Sequence, residues 1–295
     1  MTKPITIEAI KVITTQPTSQ RLVIVKVITS EPGLYGLGCA TFTQRYAAVV
    51  AALEKHLIPF AIGRDVSRIE EFYRMVHGYW RNGPVLNNAI SGIDQALWDI
   101  KGKVANMPVY ELLGGKCREA AACYAHADGR EPKAIEESVR NYMEQGYHHI
   151  RVQAGGYGGR GAQERKPEGA PSGAYYDPKH YMRAALDAIE HVRNAVGDEV
   201  EILHDIHERL APIDAVQFAK DVEQYKLFFL EDALAPEDNA WFHRIRQQCA
   251  TPLAMGELYN NPVEWQYPVE NRLIDFIRMH VSQMGGITPA RAVAL

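Results

Sequence analysis

The sequence lacks any apolar run long enough to cross a bilayer, which excludes a membrane-spanning helix. Neither sign of charge dominates. The 32 Lys and Arg residues are matched by 36 Asp and Glu, a formal net charge of −4, and both signs are mixed along the chain. That balance excludes a nucleic-acid footprint and a polybasic membrane patch. Cysteine is scarce: Cys39, Cys117, Cys123 and Cys249 show no paired C-x-x-C spacing, so they read as reduced thiols rather than as a disulfide framework. The opening MTKPITIEAIKVITT lacks the uninterrupted apolar core of a secretory signal, and a cytoplasmic location is the expectation. The glycines of Gly155–Gly159 lack the lysine and hydroxyl with which a phosphate loop works.

What is present is ordinary globular chemistry, 46% hydrophobic and 23% charged over 295 residues, enough for one large domain or two unequal ones. Residues 1–120 place strands before helices. Ile5–Thr14 and Leu22–Thr29 are rich in Ile, Val and Thr, side chains that suit a pleated surface. Glu31-Pro32-Gly33 predicts a turn, and Leu34–Thr43 a third strand punctuated by glycines. Helical spacing follows in Val49, Val50, Leu53 and Leu57, then in Ile90, Ile93, Leu97, Ile100 and Val104, with Asn88 or Ser91 as a cap. A run of strands followed by a run of helices predicts an α+β domain.

Residues 121–295 alternate strand and helix. Short apolar runs fall at Ala121–Ala127, His149–Ala154, Ile202–Asp205, Leu227–Glu231, Leu253–Glu257 and Ile274–Met279, with amphipathic stretches between them. Such alternation implies parallel strands, in a doubly wound sheet or in a (β/α)8-type barrel. Asp205, Glu231 and Glu257 are spaced by one uniform 26-residue step. A uniform unit favours the barrel, because a doubly wound sheet reverses its order halfway. About six βα units are visible, so the barrel is expected to be C-terminally incomplete in this chain, two units short of closure. Gly155–Tyr176, glycine-rich and poor in apolar residues, predicts a lid or insertion after the second barrel strand.

Three of these strands finish on carboxylates: ILHD at Asp205, FFLE at Glu231 and PLAMGE at Glu257. Strand C-termini face one rim of a barrel, so the three acids should converge. Close carboxylates repel and raise one another's pKa, and a hard divalent cation held by oxygens relieves this. His207, two residues after Asp205, can enter the same pocket as an acid. His204 should point away. Arg151 closes the second strand, with Gln153 two residues on and Tyr157 close behind on glycine-flanked backbone. His126, ending the first strand, and Arg278, ending the sixth, complete a ring of polar strand ends.

These residues carry a resemblance to a known family. ALWDIKGKVANMPVYELLGGK resembles the end of the capping domain in the enolase superfamily. HDIHERLAPIDA, FLEDALAPED and PLAMGELYNN resemble the metal-bearing strands of its mannonate dehydratase subgroup, which includes proteins labelled starvation-sensing. The resemblance implies an α+β capping domain over 1–120 and a barrel over 121–295. It implies Mg²⁺ on Asp205, Glu231 and Glu257, with Arg151 and a loop tyrosine as the proton-abstracting pair. His207 would be the acid that helps the 3-hydroxyl leave, and His126 and Arg278 would contact substrate. The implied reaction removes the proton α to the carboxylate of D-mannonate or a close relative such as D-gluconate, then loses water to give a 2-keto-3-deoxy sugar acid. Homo-oligomers are common among such proteins.

Three departures from the pattern stand out. Thr43, in CATFTQ, replaces a substrate-binding asparagine. The loop after Arg151 is short before Tyr157, which leaves Tyr175 and Tyr176 as substitutes. The last two strands of the pattern are not in this chain. Two other readings compete. A racemase or epimerase would want lysine bases where Arg151-Val152-Gln153 stand. A metabolite-binding, regulatory homologue with little turnover is the non-enzymatic alternative.

Overall fold

Alternating β-branched residues build the first sheet. In the computed structural model, which describes residues 3–77, 82–155, 167–171 and 177–295, β1 (Ile7–Thr15) pairs antiparallel with β2 (Leu22–Thr29), and β2 with β3 (Tyr35–Cys39). Along β2 every second residue turns inward, burying Val23, Val25 and Val27. They meet the helix Pro84–Ala105, whose Ile90, Ile93, Leu97 and Ile100 are buried in the same cluster. The glycines of β3 explain how closely the helix lies. A Cβ on Gly38 would come within 2.0 Å of the Gly92 carbonyl oxygen, and one on Gly36 within 2.0 Å of the Ala96 carbonyl oxygen.

The helix begins earlier than its expected cap. Pro84 occupies its first turn, where a missing N–H costs nothing, so Asn88 and Ser91 lie inside it and are buried. Asn106, in left-handed conformation at φ 51°, ends it.

The chain divides into two compact units. The first comprises Met1–Glu119 with Glu257–Val263 and Met279–Leu295; the second comprises Ala120–Gly256 and Glu264–Arg278. In the first unit the helix Ile287–Ala294 is docked on Asp94. That buried carboxylate accepts the Thr288 N–H and hydroxyl, and Trp98 Nε1 donates to Thr288 Oγ1 at 2.9 Å.

The second unit holds a six-stranded parallel sheet in the order β4 (Tyr124–Gly129), β5 (His149–Ala154), β6 (Glu201–Asp205), β7 (Phe229–Glu231), β8 (Leu253–Met255), β9 (Phe276–Ile277). Each strand lies beside its successor with no reversal. That is the order of a barrel-type sheet and not of a doubly wound one. The crossover Pro178–Val196 starts at the Asp177 cap, whose side chain accepts the His180 N–H, and stops at Gly197.

Several strands are shorter than expected. β8 ends at Met255, because Gly256 turns the chain at φ 137°, so Glu257 lies beyond the strand. Arg278 likewise follows β9. His126 and Arg151 are inside their strands rather than at the ends, and they stand opposite each other in the β4–β5 register. No helix among the described residues is long and apolar enough to cross a membrane.

Candidate active site

The centre of the site is the pairing of β6 with β7, which sets Asp205 opposite Glu231 and Leu203 opposite Phe229. Leu203, Phe229 and Ala254 form a buried apolar floor, with Tyr124 and Phe228 packed against it. The two acids, both fully buried, need partners in such low-dielectric surroundings. Asp205 Oδ2 is met by Arg151 Nη1 at 2.6 Å and His207 Nε2 at 2.8 Å, and Oδ1 accepts the His207 backbone N–H at 2.7 Å. Burial opposes ionisation of Asp205. Hydrogen bonding and charge from His207, and then Arg151, outweigh it and hold the carboxyl below its ordinary range. On Glu231, Arg278 Nε lies 2.7 Å from Oε1 and the Tyr124 hydroxyl donates to Oε2 at 3.3 Å.

His207 reaches Asp205 by a turn and not by strand alternation. β6 stops at Asp205, and His207 and Glu208 adopt left-handed backbone at φ 53° and 57°. The turn is latched to the neighbouring strand end. The Ile206 N–H donates to the Glu231 carbonyl at 3.0 Å, and the Glu208 N–H to the Asp232 carbonyl at 2.9 Å. Asp232, at φ 42°, accepts the Gly256 N–H on Oδ1 at 3.2 Å. Three non-glycine residues in this sparsely populated region, all at adjacent strand ends, mark local strain of the kind that gathers at functional sites. Arg209 Nη1 lies 3.4 Å from His207 Nδ1. The ring thus turns its Nε2 edge toward Asp205 and its Nδ1 edge toward Arg209.

Arg151 joins two strands. Its Nη2 donates to His126 Nδ1 at 3.3 Å while its Nη1 holds Asp205. Burial, and then the positive charges of Arg151 and Arg278, push the His126 pKa down to about 4, so this imidazole is neutral at pH 7. Gln153 Nε2 donates to the Asp205 carbonyl at 3.2 Å. His204 points away from these groups. It is fully buried between the Val152 carbonyl (2.8 Å) and the Tyr181 hydroxyl (2.9 Å), and burial drives its pKa down to about 4.

The second unit thus brings together Asp205, Glu231, His207, Arg151, His126 and Arg278. Thr43 and Glu257 belong to the first unit. Thr43 opens the turn Thr43–Arg45, with its hydroxyl on Gln44 Oε1 at 2.8 Å. Glu257 is joined by its peptide bond to Gly256, the residue fixed on Asp232. Tyr157, Tyr175 and Tyr176 lie outside the described residues, as does most of the expected lid. Sequence reasoning missed Tyr124 and Asp232. Tyr124 precedes His126 by two on the same strand, so period-two alternation puts both on one face, a signal that was available. Burial and the charge of Glu231 raise the Tyr124 pKa, which keeps the phenol a donor.

The donor set suits a hard divalent cation. It consists of carboxylate oxygens at neighbouring strand ends, with Glu231 and Asp232 offering oxygens within 4.8 Å of each other. An ionised carboxylate has about four lone-pair sites, one more than the hydrogen bonds described for Asp205.

Comparison with known proteins agrees with this geometry. Residues 134–295 match the family model "Enolase C-terminal domain-like", and residues 1–114 match "Mandelate racemase / muconate lactonizing enzyme, N-terminal domain". A D-galactonate dehydratase family member from Enterococcus gallinarum is 53% identical over 99% of this chain and 73% of its own length. Another, RspA from Pantoea ananatis, is 51% identical over 97% of this chain and 73% of its own. Among solved structures, an enolase from Pantoea ananatis with bound D-gluconate and Mg superposes with a TM-score of 0.91 at 50% identity, covering 98% of this chain and 74% of that one. A member of the enolase superfamily from Salmonella Typhimurium gives 0.85 at 26% identity, covering 98% and 77%. The chain belongs to the enolase superfamily and, within it, to the D-galactonate dehydratase family. Its N-terminal α+β unit and its parallel α/β barrel-type unit are the two parts of that superfamily's fold.

Proposed function

We propose that this chain catalyses the Mg²⁺-dependent dehydration of a sugar acid, D-mannonate or its relative D-gluconate, to a 2-keto-3-deoxy sugar acid. One observation carries the reading. Asp205 and Glu231 stand buried on neighbouring strands, the first bonded to Arg151 and His207, the second ion-paired with Arg278. The D-gluconate and Mg held by the Pantoea ananatis relative support the same substrate class and cofactor.

Asp205, Glu231 and Glu257 would hold the ion. Bound there, Mg²⁺ supplies positive charge where the substrate carboxylate gathers negative charge. Arg151 acts with Tyr157, or with Tyr175 or Tyr176 in its place, to take the proton α to that carboxylate. A buried guanidinium favours the phenolate form of a tyrosine brought beside it. His207, protonated to the imidazolium, gives its Nε2 proton to the departing 3-hydroxyl, which leaves as water. His126, Arg278 and Thr43 bind the sugar acid. The partners this implies are a small sugar acid and further copies of the chain.

The test is incubation of the full chain with Mg²⁺ and a panel of acid sugars, with a colour assay for 2-keto-3-deoxy products. Product from D-mannonate or D-gluconate is expected. Exchange of the C2 proton without loss of water would instead make it a racemase or epimerase. Tight binding of a sugar acid with no product would make it a metabolite-binding protein.

A further inference from the structure

The apolar floor of the second unit contains one polar atom that the proposed chemistry leaves unused, the hydroxyl of Tyr124. Its ring is half-buried on β4, stacked on His126 (centroids 5.4 Å apart) and edge-on to Phe229 (6.1 Å). This packing fixes the ring from two sides and leaves the hydroxyl only one direction in which to point. There it does two things. It donates to Glu231 Oε2 at 3.3 Å, and it accepts from Arg278 Nε at 3.2 Å. The same Arg278 Nε lies 2.7 Å from Glu231 Oε1. Phenol, guanidinium and carboxylate therefore close a three-membered ring of contacts in which each side chain touches the other two.

We propose that Tyr124 is a positioning residue for the dehydratase site, its hydroxyl locking the proposed metal ligand Glu231 and the proposed substrate contact Arg278 into one rigid element. The inference rests on the metal-site reading above. A carboxylate on a three-residue strand has free torsions about its own side chain, and a ligand that swings pays entropy each time it binds an ion. A donor fixed on β4, three strands away from β7 in the sheet order, removes that freedom. The same contact ties Arg278, which follows the two-residue strand β9, to the opposite edge strand of the sheet. Groups that orient metal ligands in this way are worth roughly 10- to 100-fold in metal affinity or activity. Tyr124 touches neither the reacting carbon nor the leaving hydroxyl in this scheme. Its loss should therefore weaken binding of ion and substrate more than it slows the chemical step.

The experiment uses the full chain and Mn²⁺ as the probe, with free Mn²⁺ followed by electron paramagnetic resonance and sugar-acid turnover measured alongside. Tyr124→Phe keeps the ring and its packing and removes only the hydroxyl. The expected result is Mn²⁺ affinity weakened about 10- to 100-fold and a raised KM, with kcat changed much less and the thermal melt close to wild type. Tyr124→p-aminophenylalanine, which restores a donor at the same place, should recover most of the loss. Wild-type Mn²⁺ affinity and KM in Tyr124→Phe would overturn the role of Tyr124 while leaving the metal site standing. Failure of the unaltered chain to bind Mn²⁺ would overturn the metal site, and the role of Tyr124 with it. Should Tyr124→Phe fail to fold, the p-aminophenylalanine chain decides: near-wild-type binding upholds the role of the donor, and binding lost from a folded protein overturns it.

Discussion

Glu231 and His207 divide the work at the centre of the site, His204 points away from it, and each of the three has a distinct signature on removal. Glu231 is buried on an apolar floor and is proposed to bind the ion directly. Glu231→Gln keeps the shape but loses the charge, and is expected to abolish metal binding and turnover together, measured by Mn²⁺ titration and product assay. His207 is proposed to give its Nε2 proton to the leaving hydroxyl. His207→Asn should cut kcat by about 10²- to 10⁴-fold, the usual worth of a general acid, while the ion still binds. Wild-type rates would remove that role. His204, next in the chain to Asp205, makes a different prediction because it is locked neutral between Val152 and Tyr181. Its pKa falls from 6.5 to about 4 on folding, so the unfolded chain binds the proton more readily between those values. Stability from this group is complete above about pH 6.5 and is lost as pH falls toward 4. Denaturant unfolding at a series of pH values should show that loss, and His204→Gln should flatten it.

Elements were legible in the sequence to the extent that one physical signal dominated each. β2 falls at its expected ends because a β-branched run has few other readings, and β5 at its own because a short apolar run between amphipathic stretches marks a strand. The alternation beyond residue 121 announced parallel strands for the same reason. Ends were harder. β8 stops at Met255 because Gly256 takes a positive φ, and apolar runs carry no mark of where a backbone turns. The helix at Pro84 was given too late a start, since buried Asn88 and Ser91 resemble caps as well as core-facing polar residues. The glycines of β3 punctuated a predicted strand, but their purpose emerges only in three dimensions, where they admit the helix backbone. Gly38→Ala would push a methyl against the Gly92 carbonyl. A cost of about 1–3 kcal/mol, as for other overpacked contacts, is expected in urea unfolding, and an unchanged midpoint would contradict that close approach.

At the scale of the molecule, the barrel-type sheet was legible from a uniform 26-residue spacing of acids, and the sequential strand order bears it out. What the spacing could not convey is where the buried acids find their charge partners. These are Arg151, two strand positions inside the sheet, and Arg278 beyond β9, residues far apart in sequence that only the register brings to Asp205 and Glu231. Nor could alternation foretell that His207 arrives through a left-handed turn latched to β7. The assignment of Segments 257–263 and 279–295 to the first unit was equally invisible, because it follows from long-range contacts such as Asn87 Nδ2 to the Asn260 carbonyl at 2.9 Å.

On the proposed reading, carboxylates from consecutive strands share one hard cation. Anomalous diffraction from crystals of the full chain grown with Mn²⁺ tests it most directly. The prediction is a single strong peak coordinated by Asp205, Glu231 and Glu257, absent from Glu231→Gln crystals. A peak elsewhere, or one that persists unchanged in the variant, would contradict it.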